Sequence, residues 1–385
     1  MNKPKVSVLI PAYNHEMYLK DTIESVLNQT FPDFELLISD DCSTDNTAQV
    51  IKSFSDKRIT GIFFEENKGT VRSLNHLLSL AKGEYIAVLG SDDIWELDKL
   101  EKQLQVLEQD KSIAACFTWV TLVDQASNVI HDETEFPTHI FEFKNRDKTS
   151  IIREIIDTGN HFCHSSVLIR SDIHRRVGEY NVAYRQLHDL DLWVRILLQY
   201  DIHIIEEPLV RYRYVPNSGN VSQNNEKNTN RLFNEAESIV TYLFENICDE
   251  DFLKCFSEEI VGQDVCTKVQ IMCEKFLLLK QKKLWGSNNT SLAIDFLMRY
   301  LDDTLIQCFE KQYGLSLEEL YSVTGEYKAT YCAEEHLELK KLKGEWIQLK
   351  TQLDTILSSK SWKITKPLRI LTRILKENKK DQDEK

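Results

Sequence analysis

Two adjacent carboxylates, Asp92 and Asp93, stand where an apolar stretch of the sequence gives way to a turn of small residues. The preceding run, Tyr85–Leu89, is apolar throughout, which is typical of a parallel strand buried on both faces. Ligands of open α/β sheets bind at the carboxyl ends of such strands. Neighbouring carboxylates favour Mg²⁺ or Mn²⁺ shared with substrate phosphates. The pair therefore predicts a metal-diphosphate site, although either residue could instead cap a helix beginning near Trp95.

A second acidic pair, Asp40 and Asp41, follows another apolar run, Phe34–Ser39. Because neighbouring parallel strands end at the same edge of a sheet, we expect both acidic pairs at that edge. The first strand is followed by PAYNHE, and the chain contains neither GxGxxG nor GxxxxGK[ST]. Any nucleotide must therefore be held without a glycine-rich phosphate loop.

The elements that must position these carboxylates alternate between strand and helix. Lys5–Ile10 is rich in β-formers, Glu16–Gln29 has helical apolar spacing, and Phe34–Ser39 is the next strand. A strand, a helix of this length and a strand form a right-handed βαβ unit with a parallel sheet. A further helix over residues 71–81 leads back to the first acidic pair, with Arg72 on its polar side. The predicted fold class is α/β.

The composition limits the classes of protein to consider. The 385 residues are 42% hydrophobic, which is ordinary for a globular chain of one large or two smaller domains. A formal net charge of -14 argues against nucleic acid as a partner. No apolar run approaches the roughly 18 to 20 residues that a membrane helix needs, so we expect any membrane contact to be at the surface.

The cysteines indicate a reduced environment. Nine cysteines include no CxxC pair, and the N-terminal residues lack the apolar core of a secretory signal, so we expect a cytoplasmic chain. His161, Cys163 and His164 are close in sequence, but no fourth ligand follows at zinc spacing. We expect a structural role for that cluster.

Five motifs lie in order within residues 4–222, namely VSVLIPAYN, SVLNQTFPDFELLISDDCSTDNT, ENKGTVRSLN, AKGEYIAVLGSDD and HDLDLWVRI. Together they resemble the family 2 inverting glycosyltransferases of the GT-A fold, in particular the bacterial cell-surface polysaccharide type. The resemblance implies a GT-A sheet, a nucleotide-diphosphate sugar as donor, and Mn²⁺ or Mg²⁺ as cofactor.

The resemblance also implies roles for residues on the donor side. It makes Asp93 the metal ligand, while Asp92 helps to hold the ribose or the metal shell. A divalent cation would neutralise the charge that develops on a diphosphate leaving group. The donor-binding residues implied in this way are Pro11, Tyr13, Asn14, Asp41, Arg72 and Asp92.

On the acceptor side the resemblance makes Asp189 the general base. A sugar hydroxyl is a poor nucleophile until a carboxylate at hydrogen-bonding distance takes its proton. Asp189 and Asp191 could instead cap the helix that runs to Tyr200, and for Asp191 we expect only that role. His188 stands where the family more often has an acid, so an imidazolium could lower the pKa of Asp189.

The stretch His164-Ser165-Ser166 resembles the family's segment beside the acceptor pocket, which implies an acceptor-side role for His164 and Ser165. A buried, hydrogen-bonded histidine is the structural alternative for His164. In Arg211–Tyr214, Tyr214 stands where the family often has histidine, which leaves metal or phosphate contacts from that strand open.

The remainder of the chain differs in character. Asn217–Asn230 is rich in Asn and Ser and predicts a flap or linker. Beyond Pro367 a helix would separate leucine and isoleucine from arginine and lysine, which favours an interfacial helix on an anionic leaflet or, alternatively, docking on the acidic body of the protein.

The predicted segments are a nucleotide-sugar half (1–110), an acceptor half (111–222), an α-helical region (231–330), a short coiled coil (334–357) and a basic amphipathic tail (358–385).

The sequence thus predicts a glycosyltransferase that moves a sugar, UDP- or dTDP-linked, to a lipid-linked glycan acceptor with inversion, in cell-surface polysaccharide or O-antigen synthesis. We expect it on the inner face of the cell membrane, with self-association through the C-terminal helix as a further option. A sugar nucleotidyltransferase is one alternative, but it has no use for Asp189 and usually has a glycine-rich loop. A non-catalytic nucleotide-sugar scaffold is the other, but it needs neither the acidic pair nor the base.

Overall fold

The computed structural model describes residues 3–131, 140–215, 225–281, 283–285, 287–288, 290–326, 341–342 and 344–352. Described residues up to 215 and from 231 to 326 belong to one compact unit. Residues 225–230 and 341–352 belong to a second unit. The first unit carries every residue to which the sequence assigns chemistry.

An eight-stranded mixed sheet forms the centre of the first unit, in the order β3-β2-β1-β4-β7-β6-β8-β5. The first four strands in this order are parallel, β7 is antiparallel to both of its neighbours, and β6 and β8 are parallel to each other. The strands are β1 (Val6–Ala12), β2 (Phe34–Asp40), β3 (Ile59–Phe63), β4 (Tyr85–Val88), β5 (Ile94–Trp95), β6 (Ile113–Val123), β7 (Leu168–Arg170) and β8 (Asp201–Arg213).

Helices alternate with the strands in the N-terminal half and follow one another in the C-terminal half. The first unit also contains a short ribbon of β9 (Lys283–Leu284) and β10 (Ser287–Asn288), a 3-10 helix (His164–Ser166) and a π-helix (Phe309–Tyr313). The helices are α1 (Leu19–Leu27), α2 (Thr47–Ser53), α3 (Thr70–Leu80), α4 (Lys99–Gln109), α5 (Lys148–Thr158), α6 (Ser171–Val177), α7 (His188–Leu197), α8 (Glu226–Asn246), α9 (Asp249–Cys255), α10 (Lys268–Gln281), α11 (Thr290–Tyr300), α12 (Asp303–Cys308) and α13 (Leu317–Glu326).

The central strands bury both faces, as their continuous apolar sequences predict. Side chains alternate along a strand, so Val8 and Ile10 enter the core on one side of β1 while Leu9 enters the core on the other. The core around Leu9 continues without interruption into the C-terminal helices, including Leu243 of α8 and Phe276 of α10. The helical region therefore covers one face of the sheet and shares its core.

Two local expectations are wrong. Strand β1 does not end at Pro11 but continues to Ala12, because Pro11 still pairs in register with Ser39 of β2, beyond the point where β4 pairs with β1. No helix begins near Trp95, since that residue lies in β5, pairs with Val210 of β8 and donates its indole N–H to a carbonyl. Helix α4 begins only at Lys99, so Asp92 and Asp93 are not its caps.

The predicted coiled coil is described only in part. Residues 341–342 and 344–352 are helical, and the side chains of Leu342, Trp346 and Leu349 are 57%, 61% and 63% exposed. The rest of the predicted coiled coil and the basic tail (358–385) lie outside the described residues. Among the helices that the structure describes, none is long and apolar enough to span a membrane.

Candidate active site

The turn after β4 holds Asp93 in a buried position. Its side chain is 2% exposed, Oδ1 accepts a hydrogen bond from the Arg213 backbone N–H (2.9 Å), and Oδ2 accepts one from the Ser165 hydroxyl. Burial and then the charge of neighbouring Asp92 raise the pKa of Asp93 well above its usual range. Each carboxylate oxygen has a second lone pair, so Asp93 retains the capacity to bind a cation.

Asp92 and Gly90 complete a cradle of oxygens beside Asp93. A Cβ on Gly90 would lie 2.8 Å from Asp93 Oδ2 and 3.2 Å from Asp92 Oδ1, so both carboxylates face the space over this glycine. The Asp92 carboxylate accepts no hydrogen bond from another described residue, and burial raises its pKa. Buried carboxylates that repel each other in this way fit a divalent cation, which would offset the repulsion. In the described part of the chain no three His, Cys, Asp or Glu side chains form a metal cluster by themselves.

Arg213, to which the sequence assigned no role, fixes the backbone of this turn. Its Nε donates to the Asp92 carbonyl (2.9 Å), and its Nη1 donates to the carbonyls of Asp124 (2.8 Å) and Gln125 (2.9 Å). The guanidinium also lies over the ring of Tyr18, 4.6 Å from its centroid. The acidic turn is thus held by a buried arginine of β8, a strand that lies far from the turn in the sequence.

Asp41, which directly follows β2, organises a second loop on the other side of β1 from the acidic turn. Its Oδ1 accepts from the Lys68 backbone N–H and its Oδ2 from the Gly69 backbone N–H, both at 2.8 Å. These amides precede α3, and Gly69 has a φ of +83°, a conformation that favours glycine. Asp41 therefore shapes the entrance to α3 while it remains at the edge of the sheet.

The other predicted donor-side residues lie in the loops around this edge. The Asn14 side chain accepts from the Thr44 backbone N–H (2.8 Å), which joins the loop after β1 to the loop after β2. Tyr13 is 44% exposed, and Pro11 is partly buried at the end of β1. Arg72, in the first turn of α3, is exposed and forms no ion pair with the described residues.

A further residue of this edge, His15, was not predicted. Its Nδ1 lies 2.7 Å from the Ser91 hydroxyl, and its charge opposes the burial that raises the pKa of Asp92. The only signal in the sequence was its position in PAYNHE, where neither spacing nor charge distinguished it.

On the acceptor side, Asp189 lies in the first turn of α7 and is 9% exposed. Its Oδ2 accepts from the Asn160 amide (2.9 Å) and its Oδ1 from the Leu190 backbone N–H (2.8 Å). Burial raises the pKa of Asp189, and the charge of His188 opposes this rise without reversing it. The effect predicted for His188 therefore has the expected direction, but burial outweighs it and the pKa of Asp189 is raised.

Histidines surround the ring of Tyr180 next to this aspartate. Nε2 of His164 lies 2.8 Å from the Tyr180 hydroxyl, and burial, followed by the charges of His188 and His174, lowers the pKa of His164 well below its usual range. Both ring nitrogens of His188 are buried without a hydrogen-bond partner among the described residues. For His164, the neutral imidazole is the form that this environment favours.

Three further residues of this region, Asp191, Ser165 and His161, have different contacts. Asp191 does not cap α7 as expected, because its Oδ2 instead accepts from Nε (3.0 Å) and Nη2 (2.7 Å) of Arg195 within the same helix. Ser165 joins the two halves of the site, since it donates to Asp93 while its hydroxyl accepts from the Gly90 backbone N–H (2.9 Å). His161 contacts Thr158 and Ile140 and does not join a metal cluster.

The 3-10 helix His164–Ser166 links the acidic turn to the start of α7. Ser165 donates to Asp93, and the ring centroid of the preceding His164 lies 5.4 Å from that of His188, the residue before Asp189. The acidic pair and Asp189, about a hundred residues apart in sequence, therefore border the same 3-10 helix.

Comparison with known proteins identifies the family to which the chain belongs. A model of the glycosyl transferase family 2 matches residues 7–178. An uncharacterized glycosyltransferase of Methanocaldococcus jannaschii is 35% identical over 225 residues, which cover 57% of this chain and 74% of that one. The chain belongs to glycosyl transferase family 2. TuaG of Bacillus subtilis, whose name assigns it to teichuronic acid biosynthesis, is 35% identical over 219 residues, covering 56% of this chain and 81% of its own.

A solved structure agrees with this assignment at the level of the fold. TarS of S. aureus, residues 1–349, matches with a TM-score of 0.50 and 18% identity, covering 72% of this chain and 80% of that one. The predicted α/β fold of GT-A type with C-terminal helices is confirmed, and the chain is a glycosyltransferase. The acidic turn and the residues that follow it to position 178 fall within the family match, whereas Asp189 lies beyond it.

Proposed function

We propose that this glycosyltransferase moves a sugar from a nucleotide-diphosphate donor, UDP- or dTDP-linked, to a glycan hydroxyl with inversion at the sugar. The observation that carries the proposal is that one 3-10 helix, His164–Ser166, contacts the acidic turn through Ser165 and Asp93 and the start of α7 through His164 and His188. A carboxylate pair that suits a cation and a separate carboxylate that suits a proton thus border the same 3-10 helix. Sugar transfer needs both at one site, because a cation neutralises the leaving diphosphate and a base takes the proton of the acceptor hydroxyl.

The donor side would use the acidic turn and the loops beside it. Asp93, supported by Asp92, would hold Mn²⁺ or Mg²⁺, which supplies positive charge for the diphosphate leaving group. Asp41 and the loops of Tyr13 and Asn14 would border the nucleoside, and exposed Arg72 would offer a free guanidinium to the donor phosphates. No glycine-rich loop is needed in this arrangement.

The acceptor side would use Asp189 as the base. The acceptor hydroxyl oxygen attacks the anomeric carbon, the bond from that carbon to the diphosphate oxygen breaks, and the hydroxyl proton passes to Asp189. Because this is one displacement from the opposite face, the configuration inverts. Asn160 fixes one oxygen of Asp189, while Ser165, His164 and His188 would border the acceptor.

The biological acceptor is proposed from weaker support. TuaG, the 35% identical relative, is named for teichuronic acid biosynthesis, which supports a lipid-linked glycan acceptor in cell-surface polysaccharide or O-antigen synthesis. The basic tail (358–385) would hold the enzyme on the anionic inner face of the cell membrane. The exposed apolar side chains of Leu342, Trp346 and Leu349 would allow self-association.

Purified protein should be incubated with UDP-, dTDP- and GDP-linked sugars in the presence of MnCl₂ or EDTA, and the released nucleoside diphosphate quantified. We expect slow, Mn²⁺-dependent hydrolysis of one donor class. Binding of the nucleoside diphosphates should be measured in parallel by calorimetry. Release that is equally fast in EDTA, or the lack of metal-dependent binding for every nucleotide, would contradict the proposal.

A further inference from the structure

A buried carboxylate of the C-terminal helices contacts the segment that leads into Asp189. Glu235 lies in α8 and is 7% exposed. Its Oε1 accepts from the Arg185 backbone N–H (2.9 Å), and its Oε2 accepts from the backbone N–H groups of Gln186 (2.9 Å) and Leu187 (2.8 Å). Three consecutive amides therefore converge on one side chain from another part of the chain.

These amides lie immediately before α7. Helices leave their first amides without intrahelical partners, and the residue at the N-cap often supplies the missing acceptor. Here the N-cap is Leu187, whose side chain cannot accept a hydrogen bond. Glu235 does not bond the helical amides themselves. It accepts from the N-cap amide of Leu187 and from the two amides before it, so it fixes the chain that enters α7, as the glutamate of a capping box fixes an N-cap N–H. Its negative charge also suits the positive end of the α7 dipole.

The helix that Glu235 caps carries the proposed base in its first turn. Asp189 is two residues beyond Leu187, and the Leu187 carbonyl accepts from the Asp191 backbone N–H (3.0 Å). A shift of the 185–187 segment would therefore move the start of α7 and with it the Asp189 carboxylate. The Asn160 contact fixes one oxygen of Asp189, but it does not fix the backbone from which the side chain projects.

Other described residues of the loop before α7 lie at the surface or contact the same helix, α8. Asn181, Val182, Ala183 and Arg185 are exposed. The Tyr184 hydroxyl lies 2.9 Å from Ser238 Oγ, which is again a contact with α8. Helix α8 thus holds the chain segment that leads into α7.

We propose that Glu235 is a positioning residue for catalysis, which holds the Asp189 carboxylate at the acceptor by capping α7. The inference rests on the proposed function, because it requires Asp189 to be the base. Misplacement of a reacting group by about 1 Å can cost roughly 100-fold in rate. The C-terminal helices would then contribute to the chemistry without contacting either substrate.

The test uses the nucleotide sugar that the wild-type chain hydrolyses with MnCl₂, with water as the acceptor. Glu235→Gln keeps the size of the side chain but turns an N–H₂ group toward backbone N–H groups, so the cap is disrupted. We expect the hydrolysis rate to fall about 10- to 100-fold while the donor dissociation constant remains unchanged. Glu237→Gln is the matched control, since Glu237 lies on the same helix and accepts from Ser291 (3.0 Å) away from α7.

A double-mutant cycle separates positioning from general stability. If Glu235 acts through Asp189, Glu235→Gln should change the residual rate of Asp189→Asn by less than about twofold. An equal loss in both backgrounds, or a Glu235→Gln rate that matches Glu237→Gln, would overturn the inference. If Glu235→Gln does not fold, Glu235→Asp keeps the charge but shortens its reach, and the same cycle applies to it with the same two overturning outcomes.

The two proposals fail in different ways. A wild-type rate in Asp189→Asn would defeat the assignment of the base and the inference with it. A slow Asp189→Asn beside an unimpaired Glu235→Gln would defeat only the role of Glu235.

Discussion

At the scale of single residues, Asp93 shows how burial prepares a carboxylate for a cation. Its raised pKa reflects burial and the charge of Asp92, and two protein hydrogen bonds only partly offset these. A divalent cation in the cradle over Gly90 would stabilise the charged form of both aspartates. Metal binding should therefore depend on this pair.

Asp93→Ala should abolish turnover and metal-dependent donor binding, because the diphosphate would keep its charge unscreened. Calorimetry with a nucleoside diphosphate, with and without Mn²⁺, checks this. Asp98→Ala is the control, since Asp98 is an exposed partner of Lys102 (2.8 Å) outside the acidic turn. Nucleotide binding that stays equally tight in EDTA would count against the metal role of Asp93.

Lys99 is a second buried titratable residue, in the layer beneath the site. Its side chain is fully buried, its Nζ donates to Gln103 Oε1 (2.7 Å), and its ammonium lies 4.0 Å from the Trp95 ring centroid. Burial lowers the pKa of Lys99 from 10.5 to about 7. Between these two values the unfolded chain binds a proton that the folded chain does not.

The free energy of unfolding should therefore rise with pH above about 7, by roughly 1.4 kcal/mol per pH unit from this residue alone. Lys99→Met should remove that part of the rise between pH 7 and 9, measured by urea denaturation. Lys102→Met is the control, because Lys102 pairs at the surface with Asp98 and Glu207 and its pKa is raised instead. Identical slopes in the wild type and Lys99→Met would show that Lys99 stays protonated in the folded chain.

At the scale of elements, two arginines near the end of β8 have different surroundings, although they are two residues apart and so lie on the same face of the strand. Arg211 pairs with Glu96 (2.7 Å) and its side chain is 46% exposed. Arg213 is 3% exposed and binds the carbonyls that shape the acidic turn. The loops that cover Arg213, and not the alternation of the strand, therefore determine which arginine supports the metal cradle.

Arg213→Lys should lower both the melting temperature and the affinity for nucleoside diphosphate with Mn²⁺, because a lysine cannot reproduce the forked contacts to three carbonyls. We expect an affinity loss of about 10-fold. Arg211→Lys should leave both quantities close to those of the wild type, since a surface pair contributes little. An equal effect of the two substitutions would mean that the buried contacts do not organise the turn.

The order of strands and helices in the N-terminal half could be predicted from apolar spacing. The run Tyr85–Leu89 identified β4 because a strand buried on both faces needs apolar residues at every position. Strand β5 could not be found in this way, because two residues carry no period and Trp95 is placed by pairing with β8. The contribution of the helical region to the sheet's core was likewise invisible, since helical spacing shows which face is apolar but not what it packs against.

In the site, the sequence predicted the residues that stand in recognisable motifs. It did not predict the residues that hold them in place. Asp93 and Asp189 stand in motifs, whereas Arg213, Asn160 and Glu235 act through contacts across 29 to 121 positions of sequence. No local pattern encodes such contacts. The sequence indicated the lowering effect of His188 on the pKa of Asp189 but not the larger, opposing effect of burial, because burial is a property of the fold.

At the scale of the whole molecule, the charge is unevenly distributed. The chain has a net charge of -14, yet its tail (358–385) is basic and alternates apolar with cationic residues beyond Pro367. An acidic body is repelled by an anionic leaflet, so attachment would depend on the tail. The residues assigned to chemistry all precede position 222 and would not need it.

Removal of residues 358–385 should release the protein from anionic vesicles while nucleotide-sugar hydrolysis continues at the wild-type rate. Basic residues contribute roughly 1 kcal/mol each near such a leaflet, and the apolar face adds burial that salt does not screen, so binding should weaken with salt without vanishing. Leu371→Glu should weaken vesicle binding more than Thr372→Glu, which adds the same charge away from the Leu/Ile face. Equal binding to neutral and anionic vesicles in sedimentation would contradict this account.

The central claim, that Asp189 takes the acceptor proton beside a metal-bound donor, is tested most directly by the rate of nucleotide-sugar hydrolysis in Asp189→Asn. The variant should fold and bind donor as the wild type does, while its rate falls by about 100-fold or more, because the amide cannot accept the proton. Asp191→Asn is the matched control, since it loses an ion pair with Arg195 but should retain the chemical step. A wild-type rate in Asp189→Asn together with a lost rate in Asp191→Asn would contradict the claim and move the base to Asp191.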